Sequence, residues 1–485
     1  MATAFNFDNS YARLPERFYA RLNPKPVEDP RLIRLNEKLA KDLGLDLEEL
    51  KGEKGLQFFS GNKVSKEADP IAMAYAGMQF GGWSPQLGDG RALLLGEIVD
   101  AKGQRFDVQL KGSGPTPFSR RGDGRAWIGP VLREYIVSEA MHALGVPTTR
   151  ALAAVSTGED VRREQTVPGA ILTRVALSHV RVGTFQYFAA RNDDDALKLL
   201  ADYVIERLHP EVKNLSNPYI GLLEAVIEKQ VALTAKWMNL GFIHGVMNTD
   251  NVTISGETID YGPCAFMDEF HPDRVFSSID EQGRYSYSNQ PRITHWNMVQ
   301  FAQSLLPLLG ETEEQAVAAA QAAVNEIPTK YMLHYQTGLN AKLGLGEIKD
   351  GDTDLGKELL GIMAEQKADF TLAFRYLAEA GGDFLQQFDD PSAMDKWLDK
   401  WRARCSLDKL SDEKRAQQML AVNPAFIPRN HSVEHAIVAA LEGDIAPFEQ
   451  LVETLENPFI DQPDNKDLMA SPMPNEIVHF TFCGT

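Results

Sequence analysis

The first part of the chain carries short apolar runs separated by glycine-rich turns. Residues 92–95, 106–110 and 171–174 are such runs, and glycine stands close to each of them. Short apolar runs with turn residues nearby are typical of β-strands. A helical pattern over residues 131–144, followed by Gly145, interrupts them. We therefore expect a strand-rich unit that includes one helix.

The second part of the chain has a different pattern, in which apolar residues recur every three or four positions. This spacing is typical of amphipathic helices. It predicts helices over residues 196–208 and 219–240, the second ended by Gly241, and further helices from 296 to 401. Residues 432–455 add a final helical pair. Together the two patterns predict an α+β fold, with strands first and helices after them.

Residues 1–70 precede both patterns, and we expect them to form an N-terminal extension. A helix over residues 31–43, stopped by Gly44, is predicted from leucines at helical spacing. These leucines are Leu32, Leu35, Leu39 and Leu43. We expect this helix to have a packing role.

Composition and charge narrow the class of protein. The chain has 485 residues, of which 44% are hydrophobic, enough for a large core and roughly two to four domains. Its formal charge of −19 argues against a nucleic-acid partner. No apolar run approaches the roughly eighteen residues of a membrane span, and residues 1–6 lack the features of a signal peptide. We expect a soluble, cytoplasmic protein without a membrane partner.

One stretch concentrates residues that are suited to bind a metal ion. Asp250, Asn251 and Asp260 fall within eleven residues, and the β-prone runs 252–254 and 258–259 lie between them. Two carboxylates and one amide oxygen are hard ligands that suit Mg²⁺. The stretch therefore predicts a magnesium site, and an Asx-rich turn between two strands is the alternative that it leaves open.

The same stretch resembles the catalytic loop of protein kinases, H-R-D-x-x-x-x-N followed by D-F-G. Counting from His244, the asparagine falls seven residues on, at Asn251, where the kinase loop has it. Asp260 stands in the place of the D-F-G aspartate. Val246 occupies the position of the kinase catalytic aspartate, and a carboxylate stands instead at Asp250. The metal-binding half of such a loop is present, whereas the usual base is missing or moved.

A glycine-rich loop and a strand that ends in lysine precede this stretch, in the order of a kinase N-lobe. Residues 81–91 are dense in glycine, and the predicted strand 106–110 ends at Lys111. Backbone N–H groups of such loops approach phosphates, and the strand lysine of kinases binds them. Glu134 is placed to orient Lys111, with Glu139 as its rival. A hairpin turn and an exposed charge are the ordinary alternatives for the loop and the lysine.

Arginines cluster near this strand in a chain that is otherwise acidic. Arg120, Arg121 and Arg125 surround a Gly-Asp-Gly run, Arg174 ends the next predicted strand, and Arg181 follows seven residues later. Arginine binds phosphate oxygens bidentately. The cluster favours a polyphosphate site, although each arginine taken alone is also compatible with an ordinary surface charge.

Several longer runs are similar to the selenoprotein O family, whose bacterial members are called YdiU. These runs are residues 85–92, 110–117, 118–126, 133–134, 138–141, 147–150, 244–251 and 260–263. The resemblance begins near Phe7 and continues through residues 342–345 to the tail. It therefore covers nearly the whole chain.

The resemblance implies a kinase-like two-lobed fold that binds ATP in a flipped orientation. It further implies transfer of AMP, with Mg²⁺ or Mn²⁺, to Ser, Thr or Tyr hydroxyls of proteins. Asn251 and Asp260 would bind the metal, Glu134 would pair with Lys111, and Asp250 would accept the proton. The residues implied to contact the nucleotide are Gly88, Gly90, Arg91, Lys111, Asp123, Gly124, Arg174, Arg181 and Asp260. If the nucleotide is reversed, a base at position 246 would not lie near the reacting phosphate, which agrees with the valine found there.

Two positions depart from the family pattern. Met78 stands where we expect the family to have histidine. Cys483 stands third from the end, where some relatives have selenocysteine, so the lower pKa of a selenolate is lost. A link between Cys483 and Cys264 would tie the tail to the segment after Asp260, but free thiols are favoured in an unexported chain. The third cysteine, Cys405, completes a set too sparse for a zinc site or a disulfide framework.

We accordingly divide the chain into four parts: an N-terminal extension (1–70), a kinase-like N-lobe (71–190), a helical C-lobe (191–420) and a C-terminal helical tail (421–485). Two alternatives to AMP transfer remain open. One is an ordinary kinase that uses Asp250 as its base, because both chemistries share the metal ligands and the lysine. The other is an inactive nucleotide-binding scaffold, favoured by Val246 and disfavoured by the presence of both metal ligands.

Overall fold

The fold is given by a computed structural model that describes residues 5–482. The strands are β1 (Tyr19–Arg21), β2 (Arg31–Leu35), β3 (Ile71–Met73), β4 (Gly77–Gln79), β5 (Gly82–Ser84), β6 (Ala92–Val99), β7 (Arg105–Lys111), β8 (Ala126–Trp127), β9 (Arg150–Arg162), β10 (Thr166–Ala176), β11 (Phe242–Ile243) and β12 (Ala265–Phe266).

Helices follow the same chain order. They are α1 (Glu37–Asp42), α2 (Leu47–Lys51), α3 (Glu53–Phe59), α4 (Ile128–Ala143), α5 (Val182–Ala189), α6 (Asp194–Leu208), α7 (Pro218–Leu240), α8 (Gln290–Leu309), α9 (Glu313–Asn325), α10 (Ile327–Lys342), α11 (Asp352–Glu365), α12 (Phe370–Leu377), α13 (Gly382–Leu385), α14 (Pro391–Cys405), α15 (Asp412–Leu420), α16 (Asn430–Leu441), α17 (Ala446–Leu455) and α18 (Lys466–Met469).

Within residues 5–482, the largest sheet has eight strands. Its order is β1–β3–β6–β7–β10–β9–β2, with β8 also paired to β10, and its strand pairs are antiparallel. Strand β7 is central, so that Lys111 lies opposite Ala92 of β6 on one side and Leu172 of β10 on the other. The predicted strands at 92–95, 106–110 and 171–174 are confirmed as parts of β6, β7 and β10.

Helix α4 packs between the sheet and the C-terminal helices. Its apolar side chains share one core with residues of β9, β10, α16 and α17. Tyr135 of α4 meets Phe448 of α17 edge to face, with ring centroids 5.6 Å apart. The helix predicted over residues 131–144 is confirmed, and it is held on two sides.

The later helices also match the sequence pattern. Helices α6 and α7 confirm the predictions for 196–208 and 219–240, and Gly241 ends α7 in the left-handed conformation, at φ = 70°. Helices α8 to α14 cover most of residues 296–401, and α16 and α17 form the predicted final pair. The apolar stripes of these helices pack into two further cores.

The predicted helix over residues 31–43 is wrong in its first half. Residues Arg31–Leu35 form β2, which pairs with β9 at the edge of the large sheet. The side chain of Asn36 then accepts a hydrogen bond from the Leu39 backbone and begins α1. Pairing with β9 therefore overrides the leucine spacing, whereas the stop at Gly44 is confirmed by its φ of 72°.

The two β-prone runs between Asp250 and Asp260 do not pair with each other. Thr253 instead forms an isolated bridge with Arg181, and Thr258 forms one with Thr148. The turn between them is present, because Thr253 Oγ1 donates to the Glu257 carbonyl and accepts from its N–H. The loop is thus fixed by distant segments and not by a hairpin of its own.

The described residues form a mixed α/β protein with a mostly antiparallel sheet and extensive helical regions. Between residues 5 and 482, no helix combines the length and apolar character needed to span a bilayer. Cys264 is a buried free thiol, and Cys483, with which a link was considered but not favoured, lies outside the described residues. The division into four parts and the cytoplasmic location stay predictions.

Candidate active site

Lys111 and Arg174 come together because they lie on neighbouring strands. Arg174 of β10 is opposite Gln109 of β7, and residues two apart on a strand share a face, so Lys111 projects from the same face as Gln109. Arg174 Nη1 also donates to Gln109 Oε1 at 3.3 Å. Helix α4 brings Glu134 to this face. The sheet and α4 thus hold two cations and one carboxylate in a buried cluster.

Glu134 binds both cations of this cluster. Lys111 Nζ lies 2.5 Å from Glu134 Oε2, and Arg174 Nε donates to Glu134 Oε1. Burial would raise the pKa of Glu134, but the charges of Arg174 and Lys111 lower it overall. Glu139, the rival, binds Arg150 and Asn36 instead. Lys111 is therefore oriented by Glu134.

Residues 244–251 are called the catalytic loop, after the kinase loop that they resemble. Asp260 follows this loop in the chain and lies against the same two cations. Its Oδ1 lies 3.1 Å from Lys111 Nζ and 3.6 Å from Arg174 Nη2. Burial opposes ionisation of Asp260, but Lys111 and Arg174 hold its pKa well below the ordinary value. The residue adopts φ = 66°, a strained conformation for a residue other than glycine. Asp260 is thus an ionised carboxylate held in an unusual backbone geometry.

Asp250 lies in a short 3₁₀ turn, Thr249–Asn251, and is 8% exposed. Its Oδ2 accepts a hydrogen bond from Gln79 Nε2 at 3.3 Å, and its buried Oδ1 has no hydrogen-bond partner among the described residues. Burial raises the pKa of Asp250 to about 6. A carboxylate of this kind is basic enough to accept a proton near neutral pH.

Asn251 and Asp260 offer oxygen atoms that suit a hard cation. Asn251 Nδ2 donates to the Val246 carbonyl at 3.1 Å, which leaves its Oδ1 without a hydrogen bond among residues 5–482. Asp260 Oδ2 is likewise not engaged there, and the Asp260 side chain is 27% exposed. Within the same residues, no group of three or more His, Cys, Asp or Glu side chains is arranged to hold a metal. The donor set fits an ion such as Mg²⁺ that takes further ligands from water and phosphate.

Arg181 is held against the catalytic loop from a third side. Its Nη1 donates to the Asp250 carbonyl at 2.8 Å and to the Tyr75 hydroxyl at 3.3 Å. The guanidinium also lies over the Tyr75 ring, 4.5 Å from its centroid, and 3.6 Å from Asp89 Oδ1. Its Nε is buried without a hydrogen-bond partner in the described chain. Arg181 therefore joins the glycine-rich loop to the loop that carries Asp250.

At Gly88, the glycine-rich loop packs too tightly to admit a side chain. Gly88 adopts φ = 74°, and a Cβ there would lie 2.3 Å from the Phe118 ring. Asp89 is buried and accepts a hydrogen bond from the Met73 N–H at 3.1 Å. Asp123, in the second Gly-Asp-Gly run, is bound by Arg163 at 2.8 Å. Both runs are thus fixed loops.

These residues line one cleft of about 600 Å³. The predicted site residues in its lining are Gly88, Gly90, Arg91, Lys111, Asp123, Gly124, Arg174, Arg181, Asp250, Asn251 and Asp260. Glu134 lies behind Lys111 and does not line it. Val246, at the position of the kinase base, also faces the cleft. The cleft therefore joins cations, carboxylates and glycine loops that are far apart in sequence.

Comparison with known proteins gives the family. The family model described as "Protein adenylyltransferase SelO" matches residues 1–456. The chain belongs to the SelO family. It is 57% identical to the protein nucleotidyltransferase YdiU of Rhizobium leguminosarum bv. trifolii (strain WSM2304), over 99% of this chain and 98% of that protein. It is also 55% identical to the YdiU of Rhodopseudomonas palustris (strain BisB18), over 100% of both chains.

Family membership makes this chain a nucleotidyltransferase and confirms the resemblance seen in the sequence. The agreement extends along the whole chain, since the matched region includes the glycine loops, β7, α4 and the catalytic loop. The identity of the relatives does not assign a role to any one side chain.

Several cleft residues of this SelO-family chain gave no signal in the sequence. Tyr75, Gln79 and Phe80 precede the glycine-rich loop and line the cleft only because β4 folds back onto the catalytic loop. Asp89, in contrast, could be picked out in the sequence, because it lies between two glycines of the glycine-rich loop. Met78, the departure from the family pattern, donates its backbone N–H to Thr249 Oγ1, a contact that any residue other than proline can make.

Proposed function

We propose that this chain is a Mg²⁺-dependent protein adenylyltransferase with a kinase-like two-lobed fold. It transfers AMP from ATP to Ser, Thr or Tyr hydroxyls of proteins and releases pyrophosphate. The sheet with α4 corresponds to the N-lobe, the helices from α6 onward correspond to the C-lobe, and the cleft between them takes ATP. Membership of the adenylyltransferase family supports this reading.

The observation that supports the proposal most strongly is the shared cleft of Lys111, Arg174, Arg181, Asp250 and Asp260. Polyphosphate carries several negative charges and needs cations that are already in place. Lys111 and Arg174 are fixed by Glu134, and Arg181 is fixed by the Asp250 carbonyl and Tyr75. Such preorganised charges stabilise a developing negative charge without reorganising during the reaction.

Asn251 and Asp260 are the residues that would hold Mg²⁺. When bound, the ion neutralises phosphate charge and draws electron density from the reacting phosphorus. Arg174 and Arg181 bind the outer phosphates and stabilise the pyrophosphate that leaves. Lys111, in contact with Asp260, binds the phosphate nearer the reacting centre. These roles rest on charge complementarity and follow the pattern implied by the family.

The reaction step forms one bond and breaks one. The acceptor hydroxyl oxygen bonds to the α-phosphorus of ATP, and the bond between that phosphorus and the oxygen bridging to the β-phosphate breaks. Pyrophosphate leaves with the electron pair of that bond, and Asp250 takes the hydroxyl proton. The raised pKa of Asp250, about 6 through burial, suits a proton acceptor near neutral pH. Positioning of the reactants supplies much of the acceleration.

A labelling experiment tests this proposal against its two alternatives. The purified chain is given Mg²⁺ and ATP labelled on either the α- or the γ-phosphate, with a mixture of candidate acceptor proteins. We expect label from the α-position alone to enter protein and to resist dialysis. Transfer of γ-label instead would make the chain a kinase, and transfer of neither would make it a nucleotide-binding scaffold.

A further inference from the structure

The hairpin formed by β4 and β5 lies directly against the loop that carries Asp250. The Met78 N–H donates to Thr249 Oγ1 at 2.7 Å, and the Phe80 N–H donates to Asn248 Oδ1 at 3.0 Å. Between these two backbone contacts, the Gln79 side chain reaches the Asp250 carboxylate. Consecutive hairpin residues thus bind consecutive residues of the loop.

The loop is also supported from behind, independently of Gln79. Thr249 Oγ1 donates to Gln186 Oε1 of α5 at 2.6 Å, and the Tyr285 hydroxyl donates to Asn248 Oδ1 at 2.7 Å. These contacts hold the side chains of Thr249 and Asn248, which precede Asp250. The Asp250 carboxylate itself has one side-chain hydrogen bond within residues 5–482, the one from Gln79 at 3.3 Å.

The two oxygens of Asp250 lie in different surroundings. Oδ1 points at Gly77, where an added Cβ would lie 2.4 Å away, and it has no hydrogen-bond partner among residues 5–482. Oδ2 faces Gln79, which lines the cleft together with Asp250. A carboxylate oxygen has two lone pairs, so Oδ2 accepts from Gln79 and keeps capacity for a proton.

We propose that Gln79 is a positioning residue that fixes the Asp250 carboxylate for proton transfer. The neutral amide distinguishes Oδ2 from Oδ1 and stops the carboxylate from rotating about its Cβ–Cγ bond. A cationic donor in the same place would fix the carboxylate equally well but would make it a weaker base. This inference rests on the proposed function, because it takes Asp250 as the proton acceptor.

Substitutions at Gln79 test the inference through the order of their effects. Gln79→Met keeps the length of the side chain without a donor, and Gln79→Glu keeps the shape but sets a second carboxyl against Asp250. We expect kcat for AMP transfer to fall about tenfold in Gln79→Met, the effect of one hydrogen bond, and further in Gln79→Glu. The KM for ATP should stay within about twofold, because Gln79 has no proposed contact with phosphate. The inference would be overturned if the native protein, Gln79→Met and Gln79→Glu had equal kcat, or if Gln79→Glu were more active than Gln79→Met.

A double-mutant cycle separates this role from a structural one. If Gln79 acts through Asp250, Gln79→Met should cause no further loss of kcat in the Asp250→Ala background. Gln186→Met is the matched control, because it removes a hydrogen bond to Thr249 in the same loop without touching the carboxylate. Its effect should be the same in both backgrounds. An equal loss from Gln79→Met in both backgrounds would refute the inference while leaving AMP transfer intact. Wild-type turnover by Asp250→Ala would instead refute Asp250 as the base.

Discussion

The cluster of Lys111, Arg174 and Glu134 allows a quantitative prediction for Glu134→Gln. This change keeps the shape of the side chain and removes its charge. Lys111 and Arg174 are both buried, at 5% and 4% exposure, and both bind Glu134 in the native protein. After the change, Asp260 is the one carboxylate among residues 5–482 that still forms ion pairs with the two cations, at 3.1 Å from Lys111 and 3.6 Å from Arg174.

Removing one partner of a buried ion pair costs about 3–5 kcal/mol, because a charge is left buried without compensation. Asp260 still offsets part of that charge in the variant. We therefore expect the low end of this range, about 3 kcal/mol of lost stability, for the protein without nucleotide. The phosphates of ATP would supply the missing negative charge, so the loss should shrink when Mg²⁺ and ATP are present.

The assay is unfolding monitored with and without saturating Mg²⁺ and ATP, on the native protein and two variants. Glu139→Gln is the matched control, because Glu139 lies on the same helix and pairs with Arg150 at 2.7 Å, outside the cleft lining. We expect both variants to be destabilised, but only the Glu134 variant to recover stability with nucleotide. A stability gap at Glu134→Gln that nucleotide leaves unchanged would refute the assignment of Lys111 and Arg174 to phosphate.

Four further substitutions have defined outcomes. Asp260→Ala should reduce AMP transfer to background in initial-rate assays, because it removes a metal ligand, whereas Asp250→Ala should leave residual transfer, because positioning and charge supply most of the acceleration. Burial raises the pKa of Glu257 from 4.5 to about 7. Between pH 4.5 and pH 7 the folded state therefore keeps a proton that the unfolded state loses, so the free energy of unfolding falls as the pH rises. Glu257→Gln should therefore remove a pH-dependent part of the free energy of unfolding, at most about 3 kcal/mol between pH 5 and 8, which denaturant titrations at several pH values measure. Burial lowers the pKa of Lys342 from 10.5 to about 7, so stability rises with pH over that window, and Lys342→Met should stabilise the protein at pH 7 but not near pH 10.5.

Wild-type turnover by Asp250→Ala would contradict its role as the base, and each of the other three variants also has a contradicting result. Near-normal turnover by Asp260→Ala would show that the metal is held elsewhere. A Glu257→Gln variant with the native pH dependence would mean that this carboxyl is ionised in the folded protein at pH 5. A Lys342→Met variant less stable than the native protein at pH 7 would mean that the contact of the ammonium with the Phe374 ring, 4.1 Å from its centroid, outweighs the cost of burial.

The sequence predicted those parts of the fold whose signals are local. The strand ending at Lys111, the helix bearing Glu134 and the helix ended by Gly241 follow from apolar spacing and end signals within a few residues. The helix predicted over residues 31–43 is wrong because its leucines have helical spacing, whereas the real structure is set by pairing of β2 with β9. Arg31 and Ser156, which face each other in that pair, are 125 residues apart in sequence. Such pairings leave no trace in local spacing.

The residues of the candidate site also divide into those with a local signal in the sequence and those joined only by distant contacts. Asp250, Asn251 and Asp260 were found because they lie close together and match a known spacing. Gln79 was missed because its contact with Asp250 spans 171 residues and a lone glutamine has no chemical signature. The choice of Glu134 over Glu139 was also open in the sequence, since both lie on one helix and only the packing of α4 shows which of them faces Lys111.

If the chain transfers AMP, as we propose, the bond broken in ATP lies between the α- and β-phosphates. The most direct measurement is the small-molecule product released in step with protein modification, quantified by phosphorus NMR or chromatography under single-turnover conditions. We expect one pyrophosphate for each modified hydroxyl, with no ADP. Release of ADP in that same proportion would contradict it.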